Sequence, residues 1–385
     1  KINEMSDNAL RVLGIAYKNT ENIEDNIEND LIFTGLVGII DPPKENVDKS
    51  IAACKKAGIK VRMITGDHLK TASAIAREIG ILTDGKVIDG ETLDKLSDEE
   101  YFEIVDDIQV YARVKPEQKM RIVETLKQKG EIVSMTGDGV NDAPALKNAS
   151  IGVAMGSGTD VAKESGDMII QDDNFETIVT AIREGRKIYD NIKRFVKFQV
   201  STNVGAILTI VGTSIFMLPV PFNPVQLLWI NIVMDGPPAQ TLGMEGSERN
   251  IMTRQPETGD ILNKKVLIKI FIAGLVMAIG SIALFSYKLA IGASQKQAMT
   301  VAFTLFVMYQ LFNAYNSKSN SAKKSTYLYL AIIACFILQV LIVYIPELQI
   351  IFRTTSIGLT DWILIFIIAA TILVSNRIAN KIVVE

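Results

Sequence analysis

Two patterns of apolar and polar positions divide the chain of 385 residues. Up to about residue 195, charged residues are frequent, and short apolar runs alternate with stretches of helical period. Lys60–Thr65 reads as a strand, followed by a helix from Leu69 that stops at Gly80. Val110–Val114, Glu131–Met135 and Ile151–Met155 read as further strands. Pro116 opens a helix at a first-turn position, Gly130 closes it, and Asp142–Ala149 predicts another. This alternation from Leu36 to about Asp173 predicts a doubly wound parallel sheet. Residues 1–34 fall outside it, and the polar, Asn/Glu-rich stretch Asn19–Asp30 reads as a loop of a separate small domain.

Beyond residue 195 the pattern changes to long apolar stretches: 196–217, 225–245, 266–287, 299–315, 326–345 and 358–375. Each is close to the ~20 residues that cross a bilayer. Buried core helices could give one such stretch, but six in succession predict a membrane domain of six transmembrane helices. Basic residues orient the spans. Lys193, Arg194 and Lys197 precede the first, and Arg249, Arg254, Lys264 and Lys265 separate the second from the third. Lys318, Lys323 and Lys324 lie between the fourth and fifth, and Arg377 and Lys381 follow the sixth. The alternate loops are poorer, with none from Leu218 to Pro224, then Lys288 and Lys296, then Arg353. An excess of Lys and Arg marks cytoplasmic loops, so the soluble part and both chain ends are expected in the cytoplasm.

Composition removes several classes. The net charge of −3 gives no basic surface for nucleic acid. Cys54 and Cys335 are far apart, which argues against a disulfide scaffold or a zinc site, and the single His68 reads as a loop residue. The opening residues read as the interior of an ongoing domain rather than a signal peptide.

The chemistry gathers at predicted strand ends. Met135-Thr-Gly-Asp-Gly-Val-Asn-Asp-Ala-Pro144 packs Asp138, Asn141 and Asp142 into five residues after a strand. The carboxyl edge of a sheet is where ligands bind in open α/β folds. Two carboxylates there repel unless something neutralises them, and Mg²⁺ shared with phosphate oxygens is the usual agent. An acidic turn is the plain alternative. Thr65-Gly66-Asp67 follows an earlier strand, and Lys119 sits in the first turn of its helix, where a cation can face a phosphate. A hydroxyl, a lysine and an acidic pair are the parts of phosphoryl chemistry. They follow the pattern of haloacid-dehalogenase-type phosphotransferases without the nucleophilic aspartate of an earlier strand.

Within the second apolar stretch, Asn231 and Asp235 are four apart and share a helix face. Gly236-Pro237-Pro238 then breaks the helix and frees carbonyls beside a carboxylate. Ionisable groups in spans are functional by default, and broken helices at membrane depth line ion sites. Asn203, in the first stretch, adds an amide oxygen. This donor set suits a hard cation such as Ca²⁺. Helix–helix hydrogen bonding could account for either asparagine alone, less readily for Asp235.

The chain resembles the P-type cation-transporting ATPases through Asp41-Pro42-Pro43-Lys44, Met63-Ile64-Thr65-Gly66-Asp67, Ala112-Arg113-Val114 with Lys119, and Thr136-Gly-Asp-Gly-Val-Asn-Asp-Ala-Pro-Ala-Leu146. The order is the family's, and Gly156–Asp173 continues the match. The resemblance implies an α/β haloacid-dehalogenase-like cytoplasmic domain with an incomplete parallel sheet, then six spans. It divides the chain into the end of a nucleotide-binding domain (1–34), a phosphorylation domain without its phosphorylated-aspartate strand (35–175), and stalk with membrane domain (176–385). The family's Asp-Lys-Thr-Gly-Thr motif, its Thr-Gly-Glu actuator motif and its first four spans are not in this sequence. The chain looks like the carboxyl half of a pump whose partners are the missing amino-terminal half and the lipid bilayer. A bacterial plasma membrane is the expected location.

By resemblance, Asp138 holds Mg²⁺, Asn141 and Asp142 complete the phosphate site, Lys119 contacts the transferred phosphoryl group, and Thr65 and Gly66 bind its oxygens. Asp67 and Arg113 line the ATP site, and Arg11 reaches ATP phosphates. Val225–Asn231 and Asp235–Gln240 look closest to secretory-pathway Ca²⁺/Mn²⁺ pumps and their bacterial relatives, with Gln240 matching the glutamine that accompanies Mn²⁺ acceptance. Ala206 and Gln310 stand where two-site Ca²⁺ pumps carry glutamates, which implies one ion per cycle. A truncated, non-catalytic membrane partner and a Na⁺- or H⁺-pumping relative stay open as alternatives.

Overall fold

The computed structural model describes residues 1–2, 5, 10–19, 28–39, 42–257, 259–319 and 325–375. Asp41, Lys323, Lys324, Arg377, Lys381 and most of the Asn19–Asp30 loop lie outside the described residues. Two compact units divide the chain: residues 1–183 with 252–256, and residues 184–251 with 257–385.

The first unit opens with an antiparallel ribbon of β1 (Arg11–Tyr17) and β2 (Ile32–Ile39), bulged between Ile15 and Ala16. Leu13, Tyr17, Phe33 and Val37 on it are exposed. A lone two-stranded ribbon is marginally stable.

The α/β part then runs α1 (Val47–Lys56), β3 (Met63–Ile64), α2 (Leu69–Glu78), β4 (Lys86–Asp89), α3 (Gly90–Lys95), α4 (Asp98–Ile104), β5 (Ile108–Ala112) and α5 (Pro116–Gln128). It continues through β6 (Ser134–Gly137), α6 (Ala143–Asn148), β7 (Ile151–Met155), α7 (Asp160–Ser165) and β8 (Met168–Ile170). Every strand pair here is parallel, but the strands form two sheets of three, ordered β3-β5-β4 and β6-β7-β8. The parallel sheet is therefore incomplete. β3 and β6 each end a sheet, and each leaves one edge of backbone groups unpaired by a strand among the described residues. Apolar packing still joins these elements. Ile64 and Val133 contribute to the clusters beneath both sheets, and the neighbours Ile122 and Val123 on α5 are buried one in each.

Two strands differ from the sequence expectation. Glu131–Met135 gives way to Ser134–Gly137, because Glu131 N–H closes α5 on Leu126 O at 3.1 Å and Ile132 is 67% exposed. Lys60–Thr65 shrinks to Met63–Ile64, which pairs on one side only. Elements β4, α3, α4, α7 and β8 lack a strong periodic run. For α4, the Ser97–Glu100 capping box was the legible start signal.

The second unit contains most of α8, a helix of 41 residues (Phe175–Ile215). Then follow α9 (Pro224–Leu228), a π-helical turn (Trp229–Met234), α10 (Gly236–Gly243), α11 (Lys264–Ala290), α12 (Gln295–Asn316), α13 (Thr326–Tyr344), α14 (Pro346–Phe352) and α15 (Leu359–Ala369). Among the described residues, α8, α11, α12 and α13 are the helices long and apolar enough to cross a membrane. The expected sixth span is a shorter apolar helix, Leu359–Ser375. The expected second span is broken into α9, the π turn and α10. Of the six expected spans, the described residues thus show four as long apolar helices and two as shorter apolar segments.

Helix α12 is the centre of this unit. Its most apolar window is 83% buried, against 33% for α11 and 28% for α13. At the start of the broken span, Asn223 and Gln226 form a capping box, and both amides donate to Phe352 O, at 2.9 and 3.0 Å. The Phe352 ring meets Trp229 edge-on with centroids 5.0 Å apart.

Candidate functional site

In the first unit, β3 and β5 build one platform. Thr65 N–H donates to Tyr111 O at 2.9 Å, and Val114 N–H to Thr65 O at 3.2 Å. Arg113 N–H donates to Asp67 O at 3.1 Å, with Arg113 in the left-handed region at φ 50°. Such strained positions cluster at ligand clamps and switch regions. The structure therefore brings Thr65, Gly66, Asp67 and Arg113 together through the backbone. The Thr65 hydroxyl donates to the Asp67 carboxylate at 2.9 Å, and open space lies beside Gly66. His68, read as a loop residue, caps α2 by accepting from Lys70 N–H at 3.3 Å.

The second platform is the β6 edge. Asp142 ends a 3₁₀ turn (Val140–Asp142), and its Oδ2 accepts from Asp138 N–H at 3.3 Å and Gly139 N–H at 3.2 Å. Its Oδ1 lies 2.5 Å from Lys119 Nζ, and both residues are largely buried. The Lys119 ammonium therefore offsets the charge of Asp142, a pairing the sequence reading did not foresee. Lys119 is set by the start of α5. Gln118 caps Lys115 N–H at 2.8 Å and sends its amide to Gly90 O at 2.7 Å and Asp94 Oδ1 at 2.5 Å. That amide, with the Lys115 ammonium, holds the Asp94 carboxyl below its ordinary range. Asp138 and Asn141 are exposed, and the Asp138 carboxylate has no hydrogen bond among the described residues. Lys44 Nζ reaches Asp173 O at 2.9 Å, and the Ser157 contact holds the Asp173 carboxyl below its usual range. Of Arg11, only its place at the start of β1 is described.

Gly137 is a position that sequence reasoning missed. A Cβ there would lie 2.4 Å from Asp142 Cβ and 2.8 Å from its Cγ. Gly137→Ala should cost about 1–3 kcal/mol by overpacking. Thermal melting of the detergent-solubilised chain measures this, and an unchanged Tm would show that the turn gives way freely.

In the second unit, Asp235 is fully buried and Asn203 and Asn231 are exposed. Asn231 and Asp235, four apart, thus differ in burial. Residues 229–234 are π-helical, and Asp235 N–H bonds Ile230 O at 3.0 Å, five residues back. The break also precedes the expected point, since Pro237 and Pro238 begin α10, where prolines need no N–H partner. π turns recur at functional sites. Cys335 on α13 contacts Val233 O at 3.7 Å. The Asp235 Oδ1 accepts from Gln310 Nε2 at 2.9 Å, while its Oδ2 is buried without a partner. Gln240 is exposed on α10, and Ala206 is buried. Among the described residues no group of three or more His, Cys, Asp or Glu gathers to hold a metal. Any cation at Asp235 would therefore depend on amide and carbonyl oxygens as well. Gln310, which the sequence presented only as a neutral substitute, was legible by the rule that made Asn203 notable: an amide inside an apolar helix.

Residues 11–150 match the haloacid dehalogenase-like hydrolases, and residues 219–382 match the family described as cation transporting ATPase, C-terminus. Together with the phosphoryl-type sheet edge and the broken apolar span, these matches define a membrane protein of the cation-transporting P-type ATPase family, and the chain belongs to it. It is 40% identical to a calcium-transporting ATPase of Bacillus subtilis (strain 168) over 380 residues, which is 94% of this chain and 43% of that protein. It is 40% identical to calcium-transporting ATPase 1 of Saccharomyces cerevisiae over 398 residues, 98% of this chain and 42% of that protein. Identity to the human calcium-transporting ATPase type 2C member 1 is 38% over 364 residues, 91% of this chain and 40% of that protein. The chain thus spans well under half the length of these relatives.

Proposed function

We propose that this chain is the carboxyl-terminal part of an ATP-driven Ca²⁺ pump, with Mn²⁺ as a second cargo, exporting the cation from the cytoplasm through an aspartyl-phosphate whose nucleophile lies in the remaining part of the protein. Residues 1–34 end a nucleotide-binding domain, 35–175 belong to the phosphorylation domain, and 176–385 form stalk and membrane domain. The observation that carries this reading is the buried carboxylate of Asp235, with one unpartnered oxygen beside a π turn in an apolar span.

The soluble site supports it. Mg²⁺ keeps several waters and takes one or two carboxylates plus phosphate oxygens. Asp138, exposed with a free carboxylate, fits that requirement, and Asp142, engaged at both oxygens, does not. Bound Mg²⁺ neutralises charge on the transferred phosphoryl group. Asp142 fixes the turn and holds the Lys119 ammonium ready for phosphate oxygens. Thr65 and Gly66 offer a hydroxyl and an open backbone surface, with Asn141 at the same edge as Asp138. Asp67, Arg113 and Arg11 serve ATP. The β3 and β6 edges, each unpaired by a strand among the described residues, suit a strand from the rest of the protein, and the exposed apolar residues of the β1–β2 ribbon suit packing against more of the nucleotide-binding domain. A plasma membrane with both ends of this chain on the cytoplasmic side completes the reading.

Asn203, Asn231 and Asp235 supply a single set of ion ligands, with Gln240 tuning Mn²⁺ acceptance. Ala206 has no oxygen to offer, and affinity for Ca²⁺ follows ligand charge. Occlusion of radioactive Ca²⁺ on trapped phosphoenzyme of the complete protein should give one ion per phosphoenzyme. A ratio near two would overturn the single site, and occlusion of Na⁺ in place of Ca²⁺ would overturn the cargo.

A further inference from the structure

Helix α12 carries few polar side chains in its buried interior, and two of them lie three residues apart on one face. Gln310 is fully buried, and Asn313 is 2% exposed. They have different tasks. Asn313 Nδ2 donates to Ser201 Oγ at 2.9 Å and ties α12 to α8. Gln310 Nε2 donates to Asp235 Oδ1 at 2.9 Å. An ionised carboxylate only accepts, so the amide nitrogen must face it. Two acceptors are then left buried and without partners, Asp235 Oδ2 and Gln310 Oε1. Unsatisfied buried acceptors are rare in native structures and demand a reason.

A carboxylate with two free oxygens can rotate about its last torsion and meet a cation in several ways. Here one oxygen is committed. The amide that commits it is carried by α12, the most buried of the four long apolar helices. We propose that Gln310 is a positioning residue for cation transport: its amide N–H pins Asp235 Oδ1 and so presents Oδ2 to the transported ion. This rests on the reading of Asp235 as an ion ligand. The hydrogen bond fixes the orientation of the carboxylate. It sets how tightly the ion is held and leaves the phosphoryl chemistry of the soluble unit untouched. Partners that orient a metal's ligands are commonly worth about 10–100-fold in affinity.

The test uses the complete pump with four variants. Gln310→Met keeps the volume and flexibility of the side chain and removes the donor. It should raise the Ca²⁺ concentration for half-maximal ATPase activity roughly tenfold or more. The maximal rate at saturating Ca²⁺ and phosphorylation from inorganic phosphate should stay within about twofold, below the size of a single lost orienting contact. Asn313→Ala loosens the same helix face without touching Asp235 and should leave the half-activating concentration unchanged. Should Gln310→Met fail to be phosphorylated by inorganic phosphate, Gln310→Thr carries the test. Its hydroxyl satisfies the buried site but is too short to reach Asp235. Unchanged Ca²⁺ activation in the Gln310 variants overturns the proposal. An equal shift in Asn313→Ala does so too, because it would mark a packing effect. Asp235→Asn separates the two levels: if Ca²⁺ activation survives it, the ion-site reading fails; if it is lost while Gln310→Met is normal, only the positioning role fails.

Discussion

Replacing Asp138 by alanine in the complete pump is expected to lower phosphoenzyme formation from ATP by at least about a hundredfold, the usual loss when one preorganised charge partner is removed. At the β6 edge only the Asp138 carboxylate is uncommitted among the described residues. Asp142 cannot substitute, because its Oδ1 is against Lys119 and its Oδ2 takes two backbone N–H groups. Moving it to serve a metal would strip the Lys119 ammonium of its partner and open the turn. Asp138 is exposed and held only by its backbone, whose carbonyl accepts from Thr159 N–H at 2.8 Å. The alanine variant should therefore fold, and its Tm should be near that of the parent. Acid-stable incorporation of labelled phosphate measures the effect. Near-normal incorporation would show that another group carries the metal.

Replacing Asp235 by asparagine should have the second large effect, with a different signature. Ca²⁺-dependent ATPase activity should disappear, while phosphorylation from inorganic phosphate persists. The asparagine is close to isosteric, so the packing of the π turn against α12 stays filled. Its own amide can face the Gln310 oxygen that now lacks a partner. What is lost is the charge, and Asn203, Asn231 and Gln310 are neutral amides that cannot replace it for a cation leaving water. The soluble site needs none of these residues to react with phosphate. Survival of Ca²⁺ activation at unchanged concentration would place the ion elsewhere.

The candidate phosphoryl site could be outlined from the sequence because its residues cluster along the chain. Thr65–Asp67 and Asp138–Asp142 sit after strands whose apolar runs are short but clear, and the structure places each at a sheet edge. Composition revealed that the carboxyl-terminal half is a membrane domain, but not that its second span is broken before the prolines. A π turn has no residue signature, so neither it nor the different burial of Asn231 and Asp235 could be read from their spacing. Pairing across distant elements was equally hidden. Lys119 with Asp142 and Gln310 with Asp235 are joined across 23 and 75 residues, and neither pairing leaves a trace in local periodicity. Division of the strands into two sheets of three also depends on which edges meet, which no single run encodes.

The π turn also sets how this span can change over evolutionary time. Upstream of it, the Asn223 and Gln226 amides must stay on Phe352 O; downstream, Asp235 must stay on Gln310. Each residue of an α-helix turns the chain by about 100°. Loss of any one residue from Trp229–Met234 would return the turn to α-helical winding and swing one of these anchored ends away from its partner. Substitutions within it keep both anchors in register. The number of residues between Gln226 and Asp235 is therefore more tightly constrained than the identity of the apolar ones, and insertions or deletions should be excluded from this segment while its side chains other than Asn231 drift.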